Sequence, residues 1–123
     1  MKRTWYRGQI IQGEKLGQTL GFPTANLDPN IILPFINEGV YSALVRYKRK
    51  QYQGALFLGP KLISEKTVKV LEIHILNFNK KIYGEIIDIC VLKFLRKVKN
   101  FSSLKDLKSQ LQVDVDAIIS VML

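Results

Sequence analysis

The run Gly39-Val40-Tyr41-Ser42-Ala43-Leu44-Val45-Arg46-Tyr47-Lys48-Arg49-Lys50-Gln51-Tyr52-Gln53-Gly54-Ala55-Leu56-Phe57-Leu58 reads as two strands turned back on each other at a basic tripeptide. Residues 40–47 and 52–58 are rich in β-branched and aromatic side chains with partial alternation, as a pleated, half-buried surface requires. A second pair of strands follows over 67–76 and 82–95, separated by Asn77-Phe78-Asn79-Lys80-Lys81, where two asparagines supply turn chemistry. In the third strand Val68, Val70, Glu72, His74 and Leu76 fall on one face and Lys69, Leu71, Ile73 and Ile75 on the other, because side chains alternate. Glu72 and His74 therefore share a face.

Beyond Phe101 the period changes. Ser103 with Asp106 three places on fits a capping box, and Leu104, Leu107 and Leu111 recur at helical spacing, which predicts an amphipathic helix over 104–112. Asp114 then stands where it would cap a second short helix carrying Val115, Ile118, Ile119 and Met122. Strands first and helix last imply a mainly β, antiparallel core with a packed C-terminal helix. Upstream the pattern is broken: Gly8, Gly13, Gly17, Gly21 and Gly39 with Pro23, Pro29 and Pro34 predict loops and tight turns rather than regular structure.

The chain has 123 residues, 47% hydrophobic and 24% charged, so a single globular domain is expected and a disordered tail excluded. One cysteine, Cys90, permits neither an intrachain disulfide nor a cysteine zinc cluster; it lies in an apolar run, and a reducing, cytoplasmic setting is expected. The basic start, Met1-Lys2-Arg3-Thr4-Trp5, leads into no apolar segment of export or membrane-spanning length. Nineteen Lys and Arg against ten Asp and Glu, a formal charge of +9, favour an anionic partner.

Three groups have chemical potential. The stretch from Gly13 to Leu27 holds glycines through which backbone N–H groups approach an anion, and a threonine and an asparagine suited to hard, oxygen-seeking Mg²⁺; it has no Walker A and no GxGxxG string. Turning the corners of a small barrel is the competing role for the same glycines. Glu72, flanked by Leu71 and Ile73, reads either as a solvent-facing edge-strand carboxylate or as a general base toward an alcohol. His74 is the sole histidine, which excludes a two-histidine metal site.

Taken in order, Gly21-Phe22-Pro23-Thr24-Ala25-Asn26-Leu27, Leu33-Pro34, Gly39-Val40-Tyr41, Leu71-Glu72-Ile73-His74-Ile75-Leu76-Asn77-Phe78, Ile82-Tyr83-Gly84 and Phe94-Leu95-Arg96 with Phe101 ahead of a helix resemble riboflavin kinase. The match runs from about Arg7 to the C-terminal helix, and residues 1–123 are identified as one riboflavin kinase-like domain. It is similar to the kinase module of bifunctional bacterial riboflavin kinase/FAD synthetases, without the adenylyltransferase half, and a stand-alone kinase is the expectation.

The resemblance implies a small closed antiparallel β-barrel with a packed C-terminal helix that transfers the γ-phosphate of ATP to riboflavin, giving FMN and ADP. It implies that Thr24 and Asn26 hold Mg²⁺ and the nucleotide phosphates, and that the loop through Gly13, Gly17 and Gly21 folds over the nucleotide. Glu72 takes the place of the family's base, and Arg96 that of a residue in a mobile flavin-side loop that stabilises phosphate charge. Riboflavin and ATP are the implied partners, with no nucleic acid, no membrane and a monomeric state. The family's Asn-Ile-Gly string is Phe57-Leu58-Gly59 here, Leu62-Ile63 replace Pro-Thr, and the glutamate two places after Leu-Arg is Val98. These replacements motivate a second reading, a flavin- or nucleotide-binding barrel without turnover. A basic RNA-binding barrel, motivated by the charge and by Trp5, Tyr47 and Tyr52 as exposed aromatics, is a third.

Overall fold

A computed structural model describes residues 2–12, 21–63 and 65–121. Gly13 and Gly17 lie outside the described residues, as does Met122. Six strands make one antiparallel sheet: β1 (Tyr6–Gln9), β2 (Ala25–Leu27), β3 (Gly39–Tyr47), β4 (Lys50–Ile63), β5 (Lys66–Ile75) and β6 (Ile86–Arg96), in the spatial order β1-β6-β3-β4-β5-β2. Its two edges meet where the Ile11 amide donates to the Asn26 carbonyl at 2.8 Å, making a nearly closed barrel with, among the described residues, one bridge at the seam. Tyr41, Ala43, Val45, Leu56, Leu58, Leu71, Ile73, Ile87 and Ile89 fill the interior.

The central hairpin forms as its composition predicts, and its turn carries φ of 48° at Lys48 and 67° at Arg49, the two left-handed residues of a tight hairpin turn. β5 begins at Lys66, and its alternation is the expected one, with Leu71, Ile73 and Ile75 inward. β6 begins at Ile86 rather than at residue 82. The cause is the chain reversal at Gly84, whose φ of +83° breaks the extended run. The glycine- and proline-rich N-terminal third is not all loop: β1 and β2 are short edge strands paired with β6 and β5.

Ser103 starts the helix α1 (Leu104–Val121), its hydroxyl accepting the Asp106 amide at 3.1 Å. The helix runs on through position 114, so Asp114 caps no second helix. The residue is 4% exposed and its carboxylate is already taken by Arg96 and by Gln110, leaving nothing to cap with. Cys90 is buried at 2% exposure, and burial pushes its thiol up, as for an inert core residue. Tyr47 is buried and Tyr52 packs against the core with Phe78, so neither is the exposed aromatic expected of a nucleic-acid platform. Trp5 is half-buried, with the Arg46 guanidinium 3.8 Å from its ring centre.

Candidate active site

Alternation on β5 turns Glu72 and His74 away from the barrel core. That face is not solvent: β5 lies between β4 and β2, and the Glu72 side chain is 13% exposed, so it is no edge-strand surface carboxylate. Asn26 of β2 stands directly opposite Glu72 in the ladder, and cross-strand partners share a face. The backbone of Asn26 also accepts the seam bond from Ile11. One residue thus joins both sheet edges and sits beside the carboxylate.

Thr24 enters just before β2, and His74 fixes the approach. Its Nδ1 lies 2.8 Å from the Pro23 carbonyl, where it donates as the Nδ1–H tautomer, and its ring meets Phe22 edge-on at a centroid distance of 5.5 Å. Gly21 begins this approach with φ +88°, a left-handed conformation that favours glycine; it is exposed and lines neither of the cavities described next.

Two cavities adjoin here. The larger, about 660 Å³, follows the barrel seam past Gln12, Thr24, Asn26, Lys80, Lys81 and Tyr83. The smaller, about 200 Å³, lies between the outside of the barrel and α1, and contains Thr24, Lys61, Glu72, His74 and Arg96, with Phe57 and Phe101 as apolar walls. Thr24 lines both. The arrangement places a hydroxyl and an amide beside a space wide enough for a nucleotide, and a carboxylate beside a space with apolar walls suited to a planar ring.

Arg96 ends β6 as part of the strand, not in a loop. Two register shifts between β3 and β6 bring it opposite Val40, and the amide of Lys93 in the irregular stretch is met by the Ser42 hydroxyl at 3.1 Å. Its guanidinium is paired bidentately with Asp114, both contacts 2.9 Å, with side-chain exposures of 13% and 5%. Arg96 thereby ties α1 to the barrel over the smaller cavity, and its charge is compensated. Its guanidinium carbon also lies 5.9 Å from the centre of the Phe101 ring.

Lys61 escaped sequence reasoning. Its Nζ is 2.6 Å from Glu72 Oε1. The available signal was the period of two: Phe57, Gly59 and Lys61 occupy one face of β4, and Phe57 pairs with Glu72. Gly59 lets side chains approach closely: a Cβ there would lie 2.8 Å from Val98 Cγ2 and 3.3 Å from Phe57 Cζ, so the Val98 side chain would have to shift. Phe57, Gly59 and Val98, three positions at or beside the replaced family strings, are thus one packed patch next to the carboxylate.

The fold and site define a small antiparallel barrel with two adjoining cavities that share Thr24, the smaller holding the Glu72 carboxylate. The flavokinase family model, described as riboflavin kinase, matches residues 2–122, and the chain belongs to the riboflavin kinase family. It is 35% identical over 114 residues to the bifunctional riboflavin kinase/FMN adenylyltransferase of Buchnera aphidicola subsp. Schizaphis graminum, covering 90% of this chain and 36% of that protein. It is 34% identical over 112 residues to the RNA-binding riboflavin kinase RibR of Bacillus subtilis, covering 90% of this chain and 48% of that one. Among solved structures, riboflavin kinase from Trypanosoma brucei superposes with a TM-score of 0.67 at 28% identity, covering 96% of this chain and 78% of that chain. The chain therefore spans between a third and a half of the length of these two relatives. No helix among the described residues is long and apolar enough to cross a membrane.

Proposed function

We propose that the protein phosphorylates riboflavin at its 5′-hydroxyl with ATP, giving FMN and ADP. The observation that carries this reading is the position of Thr24, which lines both cavities, with Asn26 in the larger and Glu72 in the smaller. ATP occupies the seam cavity, with Lys80 and Lys81 at its rim, and the flavin ring enters beneath α1 between Phe57 and Phe101. The loop containing Gly13, Gly17 and Gly21 is assigned to the nucleotide side.

Glu72 is the base. It accepts the proton of the 5′-hydroxyl as that oxygen bonds to the γ-phosphorus and the bond to the bridging β,γ oxygen breaks, its electron pair leaving with ADP. Thr24 and Asn26 fit Mg²⁺: the first offers a neutral oxygen donor where the two cavities meet and the second one in the larger cavity, and phosphate oxygens and water would supply the remaining ligands, as Mg²⁺ prefers. When bound there, Mg²⁺ supplies neutralisation of phosphate charge. His74 holds Pro23 and so the position of Thr24. Arg96 is assigned a positioning role, keeping α1 over the flavin through Asp114.

Purified protein with Mg-ATP and riboflavin is expected to form FMN, separated chromatographically. Glu72→Gln should lower turnover by roughly 10²- to 10⁴-fold, the usual contribution of a general base, with ADP binding retained. The second reading, flavin binding without transfer, draws on the apolar Phe57 beside Glu72. Tight flavin binding with no ATP-dependent conversion would establish it in place of the kinase.

A further inference from the structure

We infer that Lys61 is a positioning residue for the Glu72 base and a counter-charge for the phosphorylated product, an inference that rests on the kinase reading. The ion pair of 2.6 Å sits inside the smaller cavity, with side-chain exposures of 22% for Lys61 and 13% for Glu72. It is redundant as a clip between β4 and β5, because that ladder is continuous from Gly54↔Ile75 to Ile63↔Lys66 without it. A desolvated pair that the sheet does not need has its consequence in the cavity.

The other charged groups around Glu72 are committed elsewhere. Arg96 from β6 is paired with Asp114 of α1, Lys99 donates to Gln110 Oε1 at 3.4 Å, and His74 of β5 holds the Pro23 carbonyl. Among the described residues, Lys61 is the cation bonded to Glu72. By holding Oε1 it restrains the carboxylate and leaves Oε2 to receive the hydroxyl proton, the kind of preorganisation that limits reorganisation during reaction.

Charge balance gives the second half of the role. Before reaction a neutral ion pair faces a neutral alcohol. As the oxygen–phosphorus bond forms, the alcohol proton passes to Glu72, the carboxylate becomes neutral, and the Lys61 ammonium is left uncompensated as the anionic phosphoryl group arrives on the flavin side. The pair thus changes from neutral to cationic in step with its ligand changing from neutral to anionic.

The test compares wild type, Lys61→Met, Lys61→Arg and Glu72→Gln in two measurements: the single-turnover rate of FMN formation at saturating Mg-ATP and riboflavin, and Kd values for riboflavin and FMN from flavin fluorescence. Lys61→Met is expected to slow the single turnover roughly 10- to 100-fold, the scale of losing one aligned charged donor at a reacting centre. Its riboflavin Kd should stay within about threefold and its FMN Kd weaken by about tenfold or more, with Lys61→Arg recovering much of both. A Lys61→Met protein with wild-type single-turnover rate, or one that loses riboflavin and FMN affinity equally, overturns the inference while leaving the kinase reading intact. A wild type that forms no FMN, or a Glu72→Gln protein as fast as wild type, overturns the kinase reading and the inference with it.

Discussion

Tyr47 is a buried ring with a polar tip, and its hydroxyl finds Glu85 Oε1 at 2.6 Å beyond the β3 end of the barrel. That hydrogen bond is the foremost cause holding the Glu85 carboxyl below its ordinary value of 4.5; burial opposes it, and the nearby Lys48 ammonium at 3.5 Å lowers it further. A carboxyl whose folded value is depressed adds stability above its unfolded value and loses it as the pH falls through the folded one. Tyr47→Phe removes the donor and keeps the ring against Phe78. Its Tm should therefore lie below wild type at pH 7, and the gap should narrow as the pH is lowered from 4.5 toward 2. A gap independent of pH, followed by thermal melts across that range, would place the cost in packing and not in the hydrogen bond. The same logic of one residue serving two neighbours recurs at Asn26, opposite Glu72 in the ladder and bridged to Ile11 at the seam.

The elements differ in how plainly the sequence announced them. β5 was legible because one face meets the core and the other the cavity, so Leu71, Ile73 and Ile75 alternate with Glu72 and His74. β3 showed only partial alternation because eight of its nine residues are buried, and a strand covered on both sides reads as a run. β1 and β2 were not legible: four- and three-residue edge strands leave no period to read among glycines and prolines, and long-range pairing with β6 and β5 creates them. At the site, Thr24, Asn26 and Glu72 carried recognisable motifs, whereas Lys61 and Asp114 depend on register and helix docking that local sequence does not encode. Asp114 had the composition of a cap, and only its meeting with Arg96 made it a buried helix-interior anchor. Asp114→Ala leaves the guanidinium with 13% side-chain exposure and no counter-charge, and breaking a buried pair costs about 3–5 kcal/mol. Chemical denaturation should register a loss near the lower figure, since Arg96 keeps its bond to the Lys97 carbonyl and some solvent contact. With α1 less firmly held, the riboflavin KM should rise. A destabilised protein with unchanged riboflavin KM would separate the anchor from the cavity.

At the scale of the whole molecule, the proposed nucleotide site lies where the closure of the barrel is weakest. β3 lies in the middle of the sheet and pairs along both sides, whereas β1 and β2 are edges joined at the seam by the Ile11–Asn26 bridge. The larger cavity opens along this seam, lined by Ile10, Ile11 and Asn26 from its two sides. Local opening there needs few hydrogen bonds to break, whereas exposing the amides of Ala43 or Val45 requires most of the sheet to come apart. On the proposed reading, a nucleotide held across the seam by both sides binds the closed form only, and would therefore suppress opening by the factor 1 + [L]/Kd, about 100-fold at 100 times Kd. Amide hydrogen exchange with and without Mg-ADP checks this residue by residue. The Ile11 amide, which donates to the Asn26 carbonyl, should slow by a factor approaching that limit. If instead Ile11 exchanges at its free rate while the β3 amides are protected, nucleotide binding does not require the seam to be shut, and the site lies away from the edge that Asn26 closes.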